Sequence, residues 1–496
     1  PARGRGSRLG ALVPMEARSR WTMHWDEVSV LDGNAVSLGV EEIDLMSAAG
    51  ESLAREASAM TAGMVLFLCG PGNNGGDGFV AACSESLSGR STIVASRPQS
   101  NTDASSHARS IAEESPGVHV WPSRPDGAWD LIVDCMLGAG GDGPGSSLRG
   151  PISEMSDWAR SLGAPVLACD IPTGLGGPDC LRASRTLTFH STKSAMSQED
   201  CGEILVSDLP WPPEVQDCGP GDFHRYPPLE PGARKGDRGR LLVIGGGPYH
   251  GAPILSGMAA ARSGCDLVHV AMPSKAANRC GWPNSIIPEE LPDANLLTMS
   301  STATIEEFIQ SGRRPGSIVI GPGLGRDERT IEAVKAILEM TTEQGIPIVV
   351  DADAVGALPR GKWPRGMTGV ATPHEAEACR WLGEAEPHEA LSECLEEDST
   401  IVITGPEDRL IGPGGRNASA RGGHPRMAVG GTGDLLAGAI GGLLAQGMSP
   451  WPAARLGCAL LREAGERAAR EKGPGLLAED VPVHIAHTLS DRTVSA

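Results

Sequence analysis

Two successive α/β domains, each a doubly wound parallel sheet with helices on its faces, are the fold class that the sequence predicts. Three observations carry that expectation. Short apolar runs of strand length alternate with longer helical stretches through most of the 496 residues. Run after run ends in glycine, aspartate or histidine, where an open parallel sheet places its ligand site. Between Pro210 and Gly239 the chain collects Pro210, Pro212, Pro213, Pro220, Pro227, Pro228 and Pro231 with glycines and charges, a composition that resists helix and strand alike. The expected domains are 23–215 and 235–496, joined by a linker over 216–234, and no internal repeat relates them.

Composition narrows the function. Hydrophobic residues make up 40% and charged residues 21%, as in ordinary globular proteins. A net charge of -20 argues against a nucleic-acid or anionic-membrane partner. No apolar run reaches the roughly 18 residues of a membrane span. The 12 cysteines are scattered without a C-x-x-C pair, and Cys69, Cys135 and Cys169 sit in apolar runs, which reads as reduced cysteine in a cytoplasmic protein. Residues 1–22 are Arg-rich and poor in acids; they read as a leader without fixed structure, translated upstream of a start at Met23. Self-association into a homo-oligomer is left open.

In the first half, Ile43, Met46, Leu53 and Ala57 recur at helical spacing from Glu41 to Met60. The strand-like Val65–Cys69 then turns into Gly70, Gly72, Gly75, Gly76 and Gly78, ahead of an alanine-rich helix. A strand turning through glycines into a helix start aims free backbone N–H groups at one point and suits an anion. Asn73, Asn74 and Asp77 among those glycines go beyond a plain dinucleotide fingerprint and point to a polar ligand as well. Further runs lie at 92–95, 118–120, 131–133, 166–169 and 186–189. Two of them lead into aspartates, Asp134 and Asp170, whose carboxylates should converge on the crevice of the Asn73 loop. Lys193 beyond the last run is read equally as a contact to phosphate or reacting group and as a surface lysine.

Here a specific likeness enters. GNNGGDG, the VD-x-x-LG-x-G segment from Val133 to Gly140, and DIPTG from Asp170 to Gly174 resemble the three signature segments of the NAD(P)H-hydrate epimerase family, with a Rossmann-like domain. The resemblance implies a potassium site at Asn74, Asp134 and Thr173, where the family usually has Ser for Thr173. It implies a substrate site of Asn73, Asn74, Gly75, Gly76, Asp77, Gly138, Ala139, Gly140, Gly141, Asp142, Gly143 and Pro144. Asp170 is the expected acid or base for inverting the hydroxylated ring carbon.

The second half opens on the run Arg240–Ile244, ending in Gly245-Gly246-Gly247 and followed by Gly251-Ala252-Pro253. Runs at 318–320, 346–350 and 400–403 follow, with GPGLG at Gly321–Gly325, DADA at Asp351–Ala354 and TPHEAE at Thr372–Glu377. The strongest signal is MAVGGTGDLLAGAIGGLLAQG from Met427 to Gly447. Gly430, Gly431 and Gly433 leave N–H groups free at the start of an apolar helix, an anion hole for a transferred phosphoryl group, and Asp434 is placed to take a proton from the attacking hydroxyl.

That segment resembles the ribokinase-like α/β/α fold. With GAP, GPGLG, DADA and TPHEAE it is similar to the ADP- or ATP-dependent NAD(P)H-hydrate dehydratase family. The resemblance implies Ala252, Gly325, His374 and Asp434 around the hydrate, and Thr404, Gly405, Gly430, Gly431, Thr432 and Gly433 at the nucleotide, with magnesium on its phosphates. Where the family has Lys-Gly, this chain has Thr404-Gly405. The order of the halves is that of a fused repair enzyme acting on the hydrates NADHX and NADPHX. The alternative is a ribokinase-like small-metabolite kinase fused to a non-catalytic nucleotide-binding domain.

Overall fold

The computed structural model describes residues 22–493 apart from 26, 122, 141, 142 and 394–397, together with the backbone of Val13–Pro14. The chain forms two compact units, Pro1–Val215 and Gln216–Ala496.

The first unit is built on strands β1 (Val13–Pro14), β2 (Val65–Cys69), β3 (Ser91–Ala95), β4 (His119–Trp121), β5 (Leu131–Cys135), β6 (Val166–Cys169), β7 (Arg185–Phe189) and β8 (Glu203–Ser207). Their order is β1-β8-β7-β6-β5-β2-β3-β4. Every pairing is parallel except β1 with β8. Side chains alternate across a strand, so β2 feeds Val65, Phe67 and Cys69 to one core and Leu66 and Leu68 to another. Both faces are thereby covered, which is why the strand reads as a continuous apolar run. The chain winds one way from β2 to β4 and the other from β5 to β8, so the switch point lies between β2 and β5. The leader expected over 1–22 lies outside the described residues, save Thr22 and Val13–Pro14.

The second unit adds β9 (Arg240–Ile244), β10 (Leu267–Pro273), β11 (Ile286–Leu291), β12 (Ser317–Ile320), β13 (Ile348–Val350), β14 (Gly369–Ala371), β15 (Ser399–Ile403), β16 (Asp408–Ile411) and β17 (Asn417–Ala420). The order is β11-β10-β9-β12-β13-β14-β15-β16-β17, parallel up to β15 and antiparallel in the β15-β16-β17 edge. Leu241 and Val243 face one core and Leu242 and Ile244 the other. The switch point lies between β9 and β12, where the Gly246 amide donates to Pro322 O at 2.9 Å.

Three local expectations are revised. Asn73–Ala82 is a helix from its first asparagine. Its glycines serve close packing, because a Cβ on Gly75 would strike the Gly70 carbonyl and one on Gly78 would lie 2.8 Å from the Cys69 and Cys135 sulfurs. Asp134 is inside β5 rather than beyond it. Finally, the proline-rich segment from 216 packs onto the second unit: Arg455 donates to Asp222 through Nε at 2.7 Å and Nη2 at 3.2 Å and to the Gln216 and Asp217 carbonyls at 2.9 Å. Short 3-10 turns at Pro213–Gln216 and Pro220–Arg225 carry the segment there, since proline fits the first position of a helical turn.

Candidate active sites

At the switch point of the first sheet a cavity of ≈ 450 Å³ is lined by Asn73, Asn74, Asp77, Gly138, Ala139, Gly140, Asp170 and Lys193, with Asp32 and His190. The Asn73–Ala82 helix supplies the first three. Asn73 Oδ1 accepts from the Thr102 hydroxyl at 2.5 Å. Gly75, Gly76, Gly143 and Pro144 are not among the lining residues, and Gly141 and Asp142 lie outside the described residues.

Asp170 leaves β6 with φ +65, a left-handed conformation that an aspartate tolerates better than a bulkier residue. Its Oδ2 accepts from the Ala139 amide at 3.0 Å; its Oδ1 accepts from the Thr188 hydroxyl at 3.2 Å and from Lys193 Nζ at 2.5 Å. Burial pushes the Asp170 carboxyl up, but the Lys193 charge and these donors outweigh it and hold the group below the ordinary carboxylate value. Lys193 is 2% exposed and also donates to the Thr188 hydroxyl and the Phe189 carbonyl at 2.7 Å each, so it is no surface lysine. Burial first, then the negative charge of Asp170, pushes the nearby Asp77 carboxyl well up. One site thus holds one carboxyl pulled below the ordinary value and another pushed above it, the kind of split that acid–base chemistry uses.

Beside them Asp134, fully buried, accepts from the Thr173 amide and hydroxyl at 2.8 Å each and from the Met136 amide at 3.2 Å. Burial still raises its pKa to about 6 against those three donors. Asn74 packs on the Gly138 backbone, and its Nδ2 is buried without a hydrogen-bond partner.

In the second unit a cavity of ≈ 850 Å³ is lined by Asp351, His374, Thr404, Gly405, Thr432, Gly433 and Asp434, among others. The Thr432–Ala445 helix opens at Gly431, φ +102, where a side chain would also strike Leu255. Thr432, Gly433 and Asp434 of its first turn line the cavity, and first-turn amides have no intrahelical acceptor. The Thr432 hydroxyl ties the entering loop down, donating to Met427 O at 2.7 Å. Burial, then the charge of Asp353, pushes Asp434 up to about 6. Asp351, held by the Thr372 hydroxyl at 2.7 Å, is raised well above the ordinary value by burial and by Asp434.

His374 caps the Glu375–Leu382 helix: its Nδ1 accepts from the Ala376 and Glu377 amides at 3.1 and 3.4 Å, which leaves Nε2 to face Glu377 at 3.2 Å. Arg462 braces the Thr404–Gly405 loop by donating to the Gly405, Pro406 and Gly422 carbonyls and to Asp408. Ala252, Gly325, Gly430 and Gly431 are not among the cavity's lining residues. Ala252 lies one turn before Ser256, whose hydroxyl donates to the Asp434 carbonyl at 2.7 Å, and the Gly325 amide donates to Asp353 at 3.0 Å. Among the described residues no cluster of three or more His, Cys, Asp or Glu side chains is arranged to hold a metal, and no helix is long and apolar enough to cross a membrane.

Two cavities at strand ends of parallel sheets, one at the first sheet's switch point and one beyond β13, β14 and β15 of the second, each edged by glycines and perturbed carboxyls, define an α/β enzyme of nucleotide chemistry. A family model described as NAD(P)H-hydrate dehydratase matches residues 241–486, and one described as the YjeF-related protein N-terminus matches residues 42–195. The bifunctional NAD(P)H-hydrate repair enzyme Nnr of Hyperthermus butylicus is 32% identical over 94% of this chain and 91% of its own length. Those of Pyrobaculum aerophilum and Methanothermobacter thermautotrophicus are 34% and 31% identical over 92% and 94% of this chain, each covered over 95% of its own length. The chain belongs to the family of bifunctional NAD(P)H-hydrate repair enzymes.

Proposed function

We propose that the first unit interconverts the R and S forms of hydrated NADH and NADPH, and that the second dehydrates the S form with ADP or ATP as phosphoryl donor. The observation that carries this reading is the pairing, in one chain, of an acid–base cavity at Asp77 and Asp170 with a phosphoryl-transfer cavity at Asp434. In the first, Asp77 gives a proton to the departing hydroxyl, and Asp170, braced by Lys193, takes one from the returning water. In the second, Asp434 takes the proton of the hydrate hydroxyl as its oxygen attacks the terminal phosphorus, and the helix-start amides meet the charge on the transferred group. A hydroxyl is a poor leaving group and phosphate a good one, so the C–O bond breaks with its electron pair leaving on phosphate, and loss of a proton from the adjacent ring carbon to water or the departing phosphate restores the double bond of the reduced ring. Magnesium, when bound with the nucleotide, neutralises phosphate charge.

Incubation with hydrate, magnesium and ADP or ATP should restore the absorbance of the reduced nicotinamide. A stable phosphorylated product without that recovery would make the second unit a kinase instead. Among the described residues the cysteines are unpaired and mostly buried, which supports a cytoplasmic site of action.

Asn74, Asp134 and Thr173 would hold potassium in the first unit. All three offer oxygen, which suits a hard cation. Turning the Asn74 amide over would put an oxygen where its nitrogen now lacks a partner. The ion would supply a fixed positive charge beside Asp134. Because the Asp134 pKa is raised above its unfolded value, its contribution to stability is present at low pH and is lost as pH rises through about 6; a bound cation offsets that loss. Saturating potassium should therefore raise Tm by about 5–10 °C at pH 7.5 and by much less at pH 5, relative to choline at equal ionic strength. An equal rise in Asp134→Asn would count against the site.

A further inference from the structure

A second cavity in the Gln216–Ala496 unit, of ≈ 650 Å³, has no part in the chemistry described so far. It is lined by Arg326, Asp353, Arg360, Glu377, Arg380 and Trp381, among others, and shares Ala352 and Glu377 with the Asp434 cavity, so the two adjoin. Ala352 sits at their common edge with φ +47, fixing the turn after β13.

Charge separates the two cavities. In the Asp434 cavity the cation is Arg462, and its guanidinium is already committed to Asp408 and three carbonyls. In the second cavity Arg326 is held by Asp353 at 2.9 Å. Arg360 and Arg380, both exposed, have no ion-pair partner among the described residues. Trp381, anchored by its indole N–H to Pro359 O at 2.9 Å, and Ile331, Val355 and Leu358 give the same cavity an apolar wall. An apolar wall beside two free guanidinium groups suits a base flanked by phosphate.

Volume points the same way. One drug-sized ligand fills a cavity of about 300–1,000 Å³. The dehydration needs both a nucleoside polyphosphate and a hydrated dinucleotide, two ligands of at least that size. The Asp434 cavity accommodates the nucleotide and the reacting ring, which leaves the remote half of the dinucleotide to be housed elsewhere.

We infer that the Arg360–Arg380 cavity is the subsite for the adenosine end of the hydrated dinucleotide, its two guanidinium groups binding the pyrophosphate and, in NADPHX, the ribose 2′-phosphate. This rests on the repair reading of the Asp434 cavity. It makes Arg360 and Arg380 specificity determinants that favour the phosphorylated dinucleotide.

The test is steady-state dehydration of the S forms of NADPHX and NADHX by the full chain and by the double variant Arg360→Gln/Arg380→Gln, with Arg360→Lys/Arg380→Lys as the charge-retaining control. The inference expects the glutamine variant to raise KM for NADPHX about tenfold or more and KM for NADHX by less, with kcat and the KM for ADP unchanged. The lysine variant should recover part of the loss. Unchanged KM values for both hydrates, or a rise in the KM for ADP instead, would overturn the subsite while leaving the repair reading intact. A wild-type chain that restores no reduced nicotinamide would remove the repair reading, and the subsite with it.

Discussion

Asp434→Asn should lower nucleotide-driven dehydration by about 10²–10⁴-fold, the usual contribution of a positioned general base, while ADP binding is retained. The side chain lines the cavity, and its helix is fixed independently by the Ser256 hydroxyl on the Asp434 carbonyl, so asparagine removes the base without unseating the helix. The pH dependence gives the residue a signature. Only the ionised carboxylate can take the proton, and burial together with Asp353 sets its pKa at about 6. The dehydration rate of the wild type should fall as pH drops below that value and level off above it. Asp353→Asn removes a like charge, so the falling limb should move to lower pH. A flat profile, or full activity in Asp434→Asn, would take Asp434 out of the mechanism.

The second large effect belongs to the first unit. Asp170→Asn should abolish epimerisation and leave the fold intact, because asparagine accepts the left-handed backbone at φ +65 that most side chains resist. Lys193→Met breaks the same ion pair from the other side. Removing one partner of a buried pair leaves an uncompensated charge, a loss of about 3–5 kcal/mol, and the stranded Asp170 carboxyl should then bind a proton at neutral pH. Urea unfolding of both variants tests the pair. Asp170→Asn strands the buried Lys193 ammonium just as Lys193→Met strands the carboxylate, so both should lose stability as well as activity; equal stability of either variant and wild type would contradict the buried pair.

The sequence made some of this legible and hid the rest for physical reasons. Central parallel strands such as β2 and β9 are covered on both faces and read as unbroken apolar runs. The edge strand β11 keeps a buried residue at each end around an exposed or half-buried middle, β16 is interrupted by the exposed Arg409, and β17 alternates, so none of the three offered such a run. Asp134 looked like a loop residue because an ionisable group is costly inside a strand. Three hydrogen bonds, two of them from Thr173 across to β5, make that position tolerable, and no local pattern reports them. Lys193 was hidden for the same reason: its partner lies 23 residues away, on the neighbouring strand's exit. The glycines of the Asn73 segment were visible, but their purpose was not; helix-on-sheet contact, rather than a left-handed turn, requires them.

An equal mixture of R and S hydrate, given to the Asp170→Asn chain with magnesium and ADP, examines both cavities at once. With wild type, the absorbance of the reduced nicotinamide should return for the whole mixture. With Asp170→Asn it should return rapidly for the S half and then stall, until wild-type first-unit activity is supplied by the Asp434→Asn chain. Complete rapid recovery by Asp170→Asn alone, or failure of the two variants to complement each other, would contradict a chain in which one cavity epimerises what the other dehydrates.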